Sequence, residues 1–143
     1  AVTLEANNIV DSTQDVDAGL LNIDIATDKS LYRIGDSMAV SIGISGENQI
    51  ADAYIALLPP TGGIYCLTAA PNGELIFNAT LERLVSDWAT TTFANLPLYR
   101  IAAIPAEMPL GEYTWVFILT RPGTDVWMRE NWLAYDHATI MVE

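Results

Sequence analysis

The sequence predicts an all-β domain, an immunoglobulin-like antiparallel β-sandwich of seven to eight strands with an N-terminal arm. Three observations support this prediction. Short apolar segments alternate with period two, turns rich in Gly and Pro separate them, and no segment has the periodicity of a helix longer than a turn or two. The 143 residues suit one domain, which we divide into an arm at 1–19 and a sandwich at 20–143.

The strand around which this prediction is built is Gly111–Thr120, with Pro and Gly residues on both sides. Its aromatic and β-branched residues favour a strand, and both of its faces are apolar. We therefore expect it to be central and covered on both sides. One face carries Tyr113, Trp115, Phe117 and Leu119, and the other carries Val116 and Ile118.

The other strands are placed by alternation and by the turns between them. The third ends at Pro59–Pro60, because proline cannot donate to a sheet ladder, and 61–63 form a hairpin turn. From 68 to 98 the pattern weakens. A short strand is expected at 74–77, and 79–88 is expected to form one helical turn or irregular structure. The remaining strands are predicted at 20–27, 37–45, 51–58, 64–67, 98–104 and 132–142.

Charge and cysteine content exclude several classes of protein. The net charge is −12, and scattered Lys and Arg residues argue against binding to nucleic acid or to an anionic membrane surface. No apolar run approaches the ~20 residues of a membrane-spanning helix, so membrane insertion is not expected. Cys66 is alone, which excludes an internal disulfide and favours a buried thiol over a reactive thiol or an intermolecular bridge. The small residue Ala1 suits a processed secreted protein, although an excised segment would look the same.

Three sequence segments are similar to a known kind of module. The segment TDKSLYRIGD at 27–36 resembles the strand connection of immunoglobulin-like modules in secreted bacterial and archaeal surface proteins, and of macroglobulin-type domains. ADAY at 51–54, which continues into PTGG at 60–63, resembles the next strand and hairpin of the bacterial modules, and PLGEYTW at 109–115 resembles their penultimate strand. The resemblance implies a displayed, secreted or assembled β-sandwich without shared catalytic residues. The acidic arm and the long middle segment depart from it.

Candidate catalytic residues are few. His137 is the single histidine, so a triad of histidine metal ligands is excluded, and a Ser-His-Asp triad would depend on this residue alone. The sequence has no Gly-x-Ser-x-Gly motif. Its acidic residues lie mostly in turns or at outward strand positions, with Glu112 and Asp136 inside strands. We therefore predict that the protein is not an enzyme.

Asp11, Asp15 and Asp17 form the one candidate metal site. Their spacing, in a polar segment, could supply several oxygen ligands to calcium, although it is not that of an EF-hand loop. The alternative is an acidic linker. Apart from this calcium, no cofactor is expected.

Trp88, Trp127 and Trp132 lie in or beside predicted loops. Exposed aromatic rings stack on sugars, so these residues are candidates for a carbohydrate-binding surface; the alternatives are rings that fill the ends of the sandwich or anchor an interface. Asn78 begins an Asn-Ala-Thr sequon and is a candidate glycosylation site.

The arm supplies the predicted function. Its first ten residues contain Val2, Leu4, Ile9 and Val10, and part of this segment alternates like a strand. A strand of this kind can pair with an open sheet edge, of its own chain or of a neighbour. We therefore expect a secreted structural or adhesive protein that assembles with copies of itself into a filament or surface layer. The alternative is a carbohydrate-binding module, with a glycan or surface protein as partner.

Overall fold

The structure, a computed structural model, describes residues 21–46 and 48–143. Over these residues the prediction of an all-β chain is confirmed, since the helical residues are confined to one 3-10 turn at Arg129–Asn131. No helix in the described part of the chain has the length and hydrophobicity to cross a membrane. The strands are β1 (Leu21–Thr27), β2 (Leu31–Tyr32), β3 (Met38–Gly46), β4 (Ile50–Leu58), β5 (Tyr65–Ala69), β6 (Leu75–Asn78), β7 (Val85–Ala89), β8 (Phe93–Ile101), β9 (Gly111–Thr120) and β10 (Trp132–Val142).

The ten strands form two sheets. The smaller sheet has the order β1-β3-β8, and the larger has the order β2-β10-β9-β4-β5-β6, with β7 also paired to β4. The larger sheet is mixed and curls into a half-barrel. The prediction of seven to eight strands, all antiparallel, was wrong, because β2 runs parallel to β10 and the described residues contain ten strands. A two-residue strand paired to a distant segment leaves no local pattern in the sequence.

The central strand lies where the sequence predicted it. β9 has the predicted bounds and pairs with β10 on one side and β4 on the other. Trp115 and Phe117 are buried in the main core between the sheets, while Val116 and Ile118 belong to a second hydrophobic cluster on the outer face of the larger sheet. Full burial of such a side chain contributes about 1.5–3 kcal/mol to stability. β9 therefore contributes to two hydrophobic clusters, one on each face of the larger sheet.

The corner between β1 and β3 is built around Tyr32, which is fully buried. Its hydroxyl donates to Asp28 Oδ1 at 2.5 Å and accepts the Lys29 N–H at 2.9 Å. Asp28 Oδ1 also accepts the Ala39 N–H at 3.0 Å. Burial and the neighbouring carboxylate raise the pKa of Tyr32 to about 12. These bonds explain why Asp and Tyr stand four residues apart. Backbone hydrogen bonds from the N–H groups of Met141 and Glu143 to the Ser30 and Tyr32 carbonyls hold β2 beside β10.

The middle of the chain differs most from the prediction. The short strand expected at 74–77 is confirmed as β6, but Val85–Ala89 is a strand where one helical turn or irregular structure was expected. β8 begins at Phe93, earlier than the predicted start at Leu98. Register shifts interrupt its pairing with β3, and Asn95 has a positive φ of 52°. Such irregularities break period-two alternation, so the sequence pattern is lost.

Candidate functional site

One side of the molecule is open at the edges of both sheets. Among the described strands, β8 pairs with β3 alone and β6 pairs with β5 alone. The free side of an edge strand presents unpaired N–H and C=O groups, which can accept a further strand. β8 is nine residues long, and the side chain of Leu96 on it is 46% exposed. The smaller sheet can therefore be extended at the Tyr99–Ile101 end of this edge, where the pairing with β3 is regular, whereas Pro97 and the positive φ of Asn95 interrupt the remainder.

Between the two edges lies a cavity of about 460 Å³, which we call the aromatic groove. Phe77 is at its centre, with its ring centroid 6.3 Å from Tyr65 and 5.4 Å from Tyr99, both in edge-to-face geometry. The ring of Trp115, from the main core, lies 6.1 Å from Phe77. The groove is lined by Leu57, Tyr65, Phe77, Tyr99, Ile101, Pro105, Glu107, Met108, Pro109 and Tyr113.

The aromatic groove is suited to an uncharged apolar group. Glu107 is the one ionisable acid in its lining, which contains no Lys, Arg or His. The Tyr113 hydroxyl is used internally, because it donates to the Pro109 carbonyl at 2.6 Å, and burial raises the pKa of this tyrosine. Tyr65 is 47% exposed at the rim. An incoming aliphatic side chain would cover exposed ring surface without leaving a charge unpaired.

The opposite edge of the smaller sheet is closed by a side chain. Asp136 lies on β10 of the larger sheet, and its Oδ2 accepts the N–H of Ile25 on β1 at 2.9 Å. A carboxylate at this position satisfies a backbone donor that an added strand would otherwise use. The smaller sheet thus has a side chain of its own chain bonded to one amide of the β1 edge, and no such bond is found along β8 among the described residues.

On the outer face of the larger sheet, a buried carboxylate joins β7 and the residues before it to the loop between β9 and β10. Asp52 on β4 is fully buried and accepts hydrogen bonds from the Asp87 N–H at 2.9 Å, the Gly123 N–H at 3.0 Å and Arg83 Nη1 at 3.2 Å. Burial raises the pKa of Asp52, but the two amide hydrogen bonds and the Arg83 guanidinium outweigh it and hold the pKa below 3.8, its ordinary value. We call these four residues the Asp52 network.

The three candidate tryptophans lie in two different places. Trp88 is partly buried against the main core, 6.2 Å from the ring of Phe93. Trp132 belongs to the second cluster, is 3% exposed, and donates from Nε1 to the Val126 carbonyl at 2.7 Å. Trp127 is partly buried beside that cluster. Trp127 is thus more accessible than Trp132.

The other predicted residues have ordinary surroundings. Cys66 is fully buried, as expected, and burial raises the pKa of its thiol. The side-chain nitrogen of Asn78 donates to the Thr68 hydroxyl, and the role of Asn78 in glycosylation stays a prediction. His137 Nδ1 lies 3.0 Å from the Tyr135 hydroxyl, and the two rings are stacked.

The arm lies outside the described residues, and so do the predictions made for it. These are the interface residues Val2, Leu4, Ile9 and Val10 and the calcium ligands Asp11, Asp15 and Asp17. Within 21–46 and 48–143, no group of three or more His, Cys, Asp or Glu residues is arranged to hold a metal ion.

Sequence analysis missed both the aromatic groove and the Asp52 network. The rings of the groove come from separate strands, so no spacing along the chain connects them. Asp52 does leave a signal, because it is the single charged residue in the apolar segment Ile50–Leu58. An acid at a buried strand position requires hydrogen-bond donors close by.

Comparison with known proteins gives little further information. No protein-family model matches the chain, and no curated protein matches it either. One solved structure with a similar course of the chain is Spo0M, the sporulation control protein of Bacillus subtilis, at 16% sequence identity and a TM-score of 0.47. The similar region covers 87% of this chain and 50% of Spo0M. The likeness is too distant to bear on function.

Proposed function

We propose that this chain is a non-enzymatic, extracellular structural or adhesive protein with an immunoglobulin-like β-sandwich, and that it assembles with copies of itself. In this proposal part of Ala1–Val10 of one copy adds as a strand to the β8 edge of another. The observation that carries the proposal is the contrast between the edges of the smaller sheet. Asp136 covers β1, whereas β8 has a free side among the described strands.

The composition of the arm supports the role of a donated strand. Residues 1–10 contain no proline and one charged side chain, Glu5, and five of them are β-branched or aliphatic residues that suit a strand: Val2, Thr3, Leu4, Ile9 and Val10. Residues 11–19 carry the other three acidic side chains of the arm. The first part is thus suited to pairing with a sheet, and the second to a solvated connection between copies.

A non-catalytic role also agrees with the use of the buried and clustered polar groups. The Asp52 carboxylate binds three donors that hold loops in place. His137 is in contact with Tyr135, on a strand face. The similarity of 27–36 to modules of secreted surface proteins, and the net charge of −12, support an extracellular location.

The test is to measure the size of full-length protein variants by light scattering after gel filtration and by negative-stain electron microscopy. Val2→Asp/Leu4→Asp places two charges on the face of the arm strand that would be buried. Thr3→Asp/Asn7→Asp adds the same charge on the opposite face and is the matched control. We expect filaments or large particles for the wild type and the control, and monomers for Val2→Asp/Leu4→Asp. A monomeric wild type, or equal assembly of both variants, would overturn the proposal.

A carbohydrate-binding module is the second candidate. It is favoured by a row of rings along β10, in which Tyr135 lies 5.5 Å from Trp132 and 5.7 Å from His137, with the partly exposed Trp127 on the same cluster. Titration of a monomer with soluble glycans should then change tryptophan fluorescence, and Trp127→Ala should abolish the change. No response to a broad set of glycans would rule this candidate out.

A further inference from the structure

We infer that the aromatic groove binds Val2 and Leu4 of the added strand, and that this strand runs antiparallel to β8. The inference rests on the proposed function, because it names the contacts that strand addition would make. It follows from the position of the groove, the direction of the neighbouring strands and the length of the arm.

The groove lies where inward side chains of an added strand would point. Tyr99 and Ile101, near the end of β8, form one wall, and Tyr65 and Phe77 of β5 and β6 form the other. A strand placed beside β8 would cover the gap between these walls. Alternate residues of a strand lie about 7 Å apart on one face, so the side chains of Val2 and Leu4 would both point towards the groove.

For an arm that pairs with β8 of its own chain, the direction of the added strand follows from the pairing of the smaller sheet. β1 and β8 are both antiparallel to β3 and therefore parallel to each other. Leu21 pairs with Gly46 and Phe93 pairs with Ile44, so β1 begins at the Phe93 end of β8. A strand that reaches β8 from this end and runs antiparallel to it places its own last residues near Phe93. Its first residues then lie near Ile101, beside the groove.

The arm is long enough to make this connection. A strand added beyond β8 would lie three strand spacings from β1, about 14 Å. Residues 11–20 can span up to about 33 Å when extended. The arm can therefore reach the β8 edge of its own chain, and cross-linking distinguishes this case from addition to a second copy.

The uncharged side chains at the start of the arm suit the mostly apolar lining of the aromatic groove. Residues 1–4, Ala-Val-Thr-Leu, have no charged side chain, and the groove offers aromatic rings with one carboxylate at Glu107. Glu5 follows Leu4 directly but would lie on the opposite face of the strand, and the other acidic residues of the arm begin at Asp11. Burial of aliphatic side chains against the rings of the groove would supply most of the stabilisation.

The experiment is disulfide trapping in the full-length chain. Leu4→Cys is combined with Met108→Cys, which lies in the groove lining, and the product is oxidised and run on a non-reducing gel. The control combines Thr3→Cys with the same Met108→Cys, so any effect of the Met108 change on folding is shared. The natural Cys66 is fully buried and present in both. We expect about tenfold more cross-linked product with Leu4→Cys, because residue 3 faces away from the groove.

The form of the product separates the two proposals. A ladder of covalent oligomers would support both the groove contact and self-assembly. An internally cross-linked monomer would support the groove contact but overturn self-assembly, because the arm would then close its own β8 edge. Equal cross-linking of the Leu4→Cys and Thr3→Cys proteins would overturn the groove contact, whatever the size of the wild-type particles.

Discussion

Asp52→Asn should destabilise the fold, although it preserves the shape of the side chain. The carboxylate accepts three hydrogen bonds in a fully buried position. An amide has one acceptor oxygen, so its NH2 group would face the N–H of Asp87 or of Gly123 and leave it without an acceptor. A lost hydrogen bond to a charged group, or an unsatisfied buried donor, costs about 1.5–3 kcal/mol. We expect a loss of this size in the free energy of unfolding.

The assay is equilibrium unfolding in urea followed by tryptophan fluorescence at neutral pH. With a slope of about 1–3 kcal/mol per M, the transition midpoint should fall by about 1 M. Arg83→Gln is the control, because the Arg83 side chain is 48% exposed and should contribute much less than the two backbone donors. A midpoint unchanged in Asp52→Asn, or an equal shift in Arg83→Gln, would refute this account of the Asp52 network.

The stability lost in Asp52→Asn should also depend on pH. The pKa of Asp52 is lower in the folded state than 3.8, its ordinary value. Its contribution to stability is therefore complete above the unfolded-state pKa and is lost as the pH falls through the folded-state pKa. The stability difference between the wild type and Asp52→Asn should be constant near neutral pH and shrink below about pH 4.

Three further predictions concern single positions. Gly111 has a φ of +135°, and a Cβ there would lie 2.9 Å from Pro60 Cβ. Gly111→Ala should therefore lower the free energy of unfolding by about 1–3 kcal/mol. Gly123→Ala, at positive φ in open space, should lower the melting temperature less. Cys66 should react with a thiol reagent far more slowly in the native protein than in urea, and equal rates would contradict its burial. Asp136→Ala should leave the Ile25 N–H on β1 without its acceptor and increase association of the protein, as measured by light scattering. Asp136→Asn keeps an acceptor oxygen and should not increase association. Equal association of the two variants would show that the Asp136 side chain does not protect the β1 edge.

The sequence predicts well those strands whose burial alternates or is complete. β9 and β10 have their predicted bounds, and β1, β3 and β4 lie within one residue of theirs. In β3, the alternate apolar residues Met38, Val40, Ile42 and Ile44 are all buried. Local period-two patterns are sufficient here because one face of each strand is covered along its whole length.

The features that sequence analysis missed depend on contacts between distant segments. The donors to Asp52 lie 31, 35 and 71 residues along the chain from it, and no local pattern relates them. The bond from Ile25 to Asp136 spans 111 residues. Strands β7 and β8 contain Asp87 and Asn95 at positive φ, and such backbone changes remove the alternation on which prediction depends.

The position of β10 has a consequence for the order in which the chain can fold. β10 comes after the other nine described strands in the chain, yet it lies between β2 and β9 in the larger sheet. Until it emerges from the ribosome, β9 has an unpaired edge, and β9 is the strand with two apolar faces. The pairing of β10 with β2 joins segments 110 residues apart, Met141 with Leu31, and pairing over such a separation is slow. We therefore expect nascent chains to need protection from aggregation until β10 is free to pair with β9.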